Sequence, residues 1–162
     1  MSFFFRAAAR AAAILALIAL STPAFSHGFE AGDLKITHPW SRATVPGAKV
    51  AAGYFVVKNT GAEPDRLLSL SSPIADKAEV HEMAVDAAGV MTMRPVEGPL
   101  EIPAGGEVKL APKGLHVMFI GLTTKQLLED ETFKATLTFE RAGAVEVEFA
   151  VDAMGAGQDM EH

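Results

Sequence analysis

From Val50 to Val151 the chain is cut into short pieces, and that division narrows the fold more than any other feature. VAAGYFVVKN (Val50–Asn59), DRLLSLSS (Asp65–Ser72), AEVHEMAV (Ala78–Val85), GVMTMRPV (Gly89–Val96), EVKL (Glu107–Leu110), LHVMFIGL (Leu115–Leu122), TFKATLTFE (Thr132–Glu140) and VEVEFAV (Val145–Val151) follow one another. Between them lie NTGAEPD, DAAG, PAGG, PKG and RAG, each with a glycine. In TFKATLTFE, Phe133, Ala135, Leu137 and Phe139 alternate with polar residues, the period-two pattern of a half-buried strand. TTKQLLED (Thr123–Asp130) has room for one helical turn at most. Many short strands at regular spacing predict an all-β chain, an antiparallel β-sandwich of Greek-key type with about eight or nine short strands. No internal repeat is visible, and the only low-complexity stretch is the tail GAGQDMEH.

The first residues read differently. MSFFFRAAAR carries Arg6 and Arg10, an apolar run follows from Ala11 to Leu20, and STPAFS ends in small residues before His27. This is the layout of a secretory signal, with Ala24 and Ser26 at the small-residue positions of the cleavage site. The apolar run is well short of the ~20 residues a spanning helix needs. Cleavage after Ser26 takes 26 of the 162 residues and leaves 136, enough for one domain over 27–153 with a flexible tail over 154–162. Losing Arg6 and Arg10 reduces 14 basic side chains to 12 against 20 acidic ones, a formal charge of −8. Such a surface repels phosphate backbones and anionic lipid, which argues against nucleic-acid or membrane binding. The chain has no cysteine, so an exported domain of this kind holds together through its core alone.

VHEMAVDAAGVMTMRP (Val80–Pro95) holds three of the seven methionines and a histidine. Residues i and i+2 of a strand point the same way. His81 and Met83 therefore share a face, Met91 and Met93 share a face of the next strand, and His116 and Met118 repeat the device in LHVM. A single methionine is more often core filler, and a single strand histidine more often structural. Three donor pairs between His81 and Met118, in a chain with five histidines, point to a metal site. Neutral, soft thioethers do little for Ca²⁺ or Mg²⁺, and methionine is not among the usual zinc ligands. Imidazole with thioether suits Cu(I), and thioethers cannot be lost to disulfides in an oxidising compartment.

The ordered motifs HEM, GVMTMRPVEG, IPAGGEVKL and GLHVMFIGL, preceded by PWSRATVPGAKVAAGYFVVKNTG and DRLLSLSSP, resemble the periplasmic copper chaperone family written PCuAC, over roughly Ile36 to Val151. The resemblance implies a cupredoxin-like β-barrel or sandwich binding one Cu(I) near its surface. Its ligands would be His81, Met93, His116 and Met118. The interval between Met93 and His116 is 22 residues, one longer than the family form, so Met91 stands as the alternative to Met93. Met83 is a spare donor or a hydrophobic wall.

His38, before Pro39 and Trp40, reads as structural. A mature N-terminal His27 could chelate Cu(II) through its amine and imidazole, but it reads first as a frayed terminus. Met154, Met160 and His162 make the tail a weak secondary copper candidate. No catalytic constellation is legible, so a non-enzyme is expected. The resemblance implies a periplasmic carrier, monomeric, passing copper toward the dinuclear copper centre of cytochrome c oxidase or to a thiol chaperone. Copper buffering or detoxification, a copper-dependent oxidative enzyme using His27, and a structural adhesion module are the alternatives.

Overall fold

The computed structural model describes residues 28–157. The described residues form eleven strands and no helix: β1 (Gly28–Ala31), β2 (Leu34–Arg42), β3 (Val50–Asn59), β4 (Asp65–Ser71), β5 (Ala75–Val85), β6 (Met91–Pro95), β7 (Leu100–Ile102), β8 (Glu107–Leu110), β9 (Leu115–Leu122), β10 (Thr132–Phe139) and β11 (Gly143–Asp152). The order β2-β11-β10-β4-β5-β9-β3 closes on itself because β3 also pairs with β2, giving a seven-stranded barrel. Every pairing is antiparallel except that of β2 with β11, the first and last strands of the ring. The remaining strands extend the barrel: β1 on β2, β8 on β3, β7 on β4 and β6 on β5.

All eight expected segments are strands, and the structure adds β1, β2 and β7. The second of these was hidden by its own middle. Leu34 and Ile36 are buried in the regular way, but the register against β3 shifts between Thr37 and Trp40. There His38 takes φ of 54°, unusual for a side-chain-bearing residue, and Pro39 has no N–H to donate. β7 is only three residues long, too short for periodicity to register.

The interior is built on aromatics. The rings of Phe133 and Phe149 stack at 5.3 Å, and Phe119 meets both edge-on at 5.3 and 5.6 Å. Phe55 meets Phe149 edge-on at 6.3 Å. The four alternating residues of β10 are all buried, as its pattern predicted. Gly53 faces this cluster, and a Cβ there would lie 2.7 Å from Phe119 and 3.0 Å from Phe149. Two buried polar groups tie the loops to the barrel. The Asp65 carboxylate accepts backbone N–H bonds from Arg66, Arg141 and Ala142 at 2.7 to 3.0 Å. The Asn59 amide donates to Glu63 and Ile102 carbonyls and accepts from Gly61. After β11 the chain folds back over Trp40, where Arg42 Nε donates to the Ala156 carbonyl at 2.8 Å and Gly157 sits against Trp40 and Pro112.

Emptying the aromatic cluster exposes its importance. Phe149→Ala should cost about 3–5 kcal/mol through lost transfer energy and a residual cavity. Gly53→Ala, which forces a methyl group into two rings, should cost about 1–3 kcal/mol. Equilibrium denaturation with urea measures both.

Candidate metal centre

β5 and β9 run antiparallel from Ala75 opposite Leu122 to Glu82 opposite Leu115, with no register shift. Directly opposed residues point to the same face, so one face of this pair carries Ala78, Val80, Val117 and Phe119 toward the core. The other carries Glu79, His81 and Met83 on β5 with His116 and Met118 on β9. His81 lies directly opposite His116, and their ring centroids are 6.1 Å apart. Met118 lies opposite Glu79, one step along on the same face.

Beyond Glu82, β5 runs on as a hairpin with β6. Met83 is opposite Met93, Val85 opposite Met91, and His81 opposite Pro95. The histidine pair thus stands between Met118 on one side and the Met83–Met93 pair on the other. Met91 is a further step away, so the register ranks Met93 nearer to the histidines than Met91. Both side chains are more than half exposed, 53% for Met93 and 54% for Met91. The imidazoles are not: His81 is 8% exposed and His116 4%.

Hydrogen bonds set the free lone pair of each ring. The Nδ1–H of His116 donates to the Gly114 carbonyl at 2.9 Å, which leaves Nε2 of the neutral ring unprotonated. His81 is held the other way round. Its Nε2–H donates to Oε2 of Glu79 at 3.4 Å, so the lone pair falls on Nδ1. That Nδ1 is buried and has no hydrogen-bond partner. A buried, unpartnered acceptor is costly, and a bound ligand is one way to satisfy it. Metal–imidazole bonds are near 2 Å, so one ion between two rings holds their centroids roughly 6 Å apart, which the observed pair matches. Glu79 is also bound to Lys77 Nζ at 2.5 Å. That hydrogen bond is the main cause that holds its carboxyl below the usual carboxylate range; burial opposes it, and the lesser hydrogen bond from His81 adds to the lowering.

Among the described residues no three His, Asp or Glu side chains gather where they could hold a metal ion. The donors that the register places beside the histidine pair are thioethers, which suit a soft ion and not zinc or calcium. Glu79 was missed by the sequence reading, although its place two residues before His81 puts it on the same face. His38 lies on β2 and lines a cavity of about 380 Å³ with Trp40, and neither His81 nor His116 lines that cavity. Met154 follows β11 and is exposed. His27, Met160, His162 and the signal segment lie outside the described residues.

The comparisons with known proteins agree with this fold. The family described as "Putative lipoprotein LpqE-like" matches residues 34–151. "Putative lipoprotein Lxx21020" of Leifsonia xyli subsp. xyli is 30% identical over 159 residues, covering 95% of this chain and 93% of the relative. Among solved structures, the apo PCuAC domain from PmoF1 is 32% identical with a TM-score of 0.67, over 78% of this chain and 99% of that one. The copper-bound PCuAC domain from PmoF2 is 31% identical with a TM-score of 0.66, over 78% and 98%. CuI-DR1885 from Deinococcus radiodurans is 25% identical with a TM-score of 0.57, over 82% and 85%. The chain belongs to the LpqE-like family, and its barrel is that of the PCuAC domains.

Proposed function

We propose that this protein is a copper carrier that binds one Cu(I) between His81 and His116, with Met118 and Met93 completing the shell. The observation that carries the reading is the opposed histidine pair, each ring with one lone pair left free by its own hydrogen bond. The copper-bound state of the PmoF2 domain and of DR1885 supports copper as the cargo. Two imidazoles with two thioethers favour the monovalent ion, since the harder Cu(II) prefers nitrogen and oxygen in a tetragonal arrangement.

Transfer would proceed by ligand exchange from the exposed side. The imidazoles are sunk in the wall of the barrel, whereas Met93 stands open to solvent. A neutral thioether is the weakest donor of the set, so an incoming thiolate or imidazole displaces it first. The copper then passes without entering free solution, and no group has to be protonated for the thioether to leave. Storage alone would not require an exposed ligand. We place this activity in the periplasm, with the copper centre of cytochrome c oxidase or a thiol chaperone as recipient. The N-terminal segment and the lipoprotein relatives support export. None of these 162 residues is a cysteine to which a lipid could be attached.

Three outcomes follow. The double variant His116→Ala, Met118→Ala should lose stoichiometric Cu(I) when competed against a chromogenic Cu(I) chelator, while its circular dichroism is unchanged; retained binding would reject the site. Met93→Ala should weaken Cu(I) binding by about tenfold, the order of one lost interaction of ~1.4 kcal/mol, and Met91→Ala by less than twofold. Loaded protein should transfer its copper to an apo acceptor domain carrying two thiolates, and deletion of the gene should lower oxidase activity when copper is scarce. Normal oxidase activity in the deletion strain, with greater copper sensitivity, would instead favour buffering.

A further inference from the structure

We propose that Glu79 is a positioning residue for the copper site and that His81 binds the ion through Nδ1. The inference rests on the copper-carrier reading and adds to it a donor atom and a residue that no ligand motif contains. Glu79 shares the outward face of β5 with His81 and lies opposite Met118 across β9. It is therefore the one carboxylate set between a histidine and a methionine of the site. Its Oε2 accepts from Nε2 of His81, and its Oε1 accepts from Lys77.

Two features make this contact directional. An ionised carboxylate can only accept, so the proton of the neutral imidazole is held on Nε2 and the lone pair is turned to Nδ1. That atom is the one buried side-chain nitrogen or oxygen without a partner among the described residues. The arrangement is that of a metal-bound histidine whose second nitrogen is held by a carboxylate, which fixes the ring and raises its basicity. His116 is fixed differently, by the Gly114 carbonyl on its Nδ1, so it presents Nε2. The two histidines thus offer opposite ring nitrogens to one ion. Both oxygens of Glu79 are already engaged, by His81 and Lys77, so its place in this arrangement is behind the histidine and not on the ion.

Glu79 is partly exposed, so replacing it should leave the barrel intact. Glu79→Ala should lower Cu(I) affinity by about 10- to 100-fold in chelator competition, the range for loss of such an outer partner. Glu79→Gln, whose amide oxygen can still accept, should recover most of the loss, and Lys77→Ala should stay within twofold of wild type. The readout that a merely structural role would not move is long-range ¹H–¹⁵N NMR of the histidine rings. In the copper-free wild type His81 should carry its proton on Nε2, and one equivalent of Cu(I) should shift Nδ1 of His81 and Nε2 of His116. A copper-induced shift at Nε2 of His81, or wild-type affinity in Glu79→Ala, would overturn the proposal while leaving the carrier reading in place. Failure of the wild type to bind Cu(I) would overturn both.

Discussion

Everything about the site depends on the register between β5 and β9. With side chains alternating at every residue, a slip of one position would turn His81 or His116 into the aromatic interior and bring a valine to the surface. Val117 and Phe119 are fully buried on the opposite face from His116 and Met118, so the hydrophobic cost of such a slip is large. The core therefore does more than hold the barrel closed: it fixes which atoms of which strand stand opposite each other on the outside. The phenylalanine cluster and the glycine that makes room for it belong to the geometry of the candidate site as much as the histidines do.

The site has two halves of different character. His81, His116, Glu79 and Met118 sit on two strands of the closed barrel, backed by the core, and the imidazoles are locked by hydrogen bonds on their far nitrogens. Met83 and Met93 face each other in a hairpin that leaves the barrel, with every residue of β6 exposed. On the carrier reading proposed above, the fixed half would set affinity and the choice of ion, and the open half would let a recipient reach the ion without disturbing the fold.

Much of this was legible in the residues. The alternation in β10 named its buried face correctly, and the i, i+2 spacing of His81 and Met83, Met91 and Met93, and His116 and Met118 placed each pair on a single face. Spacing within a strand says nothing about which strand lies beside it. The direct opposition of His81 and His116, the ranking of Met93 ahead of Met91, and the contact of Glu79 with His81 all come from cross-strand register. β2 escaped notice because His38 and Pro39 break its pattern at the bulge, although it closes the ring by pairing with both β3 and β11. Of the motifs that carry the resemblance to PCuAC domains, HEM lies on β5, GVMTMRPVEG includes β6 and GLHVMFIGL includes β9, the strands that carry the histidine and methionine pairs.

One ion bound jointly by two imidazoles and two thioethers is the claim on which the reading stands. X-ray absorption of the protein loaded with one equivalent of Cu(I) tests it directly, because nitrogen and sulfur neighbours are distinguished by their distance and scattering. About two of each around a single reduced copper are expected. A shell of nitrogen and oxygen alone, with no sulfur at bonding distance, would contradict it.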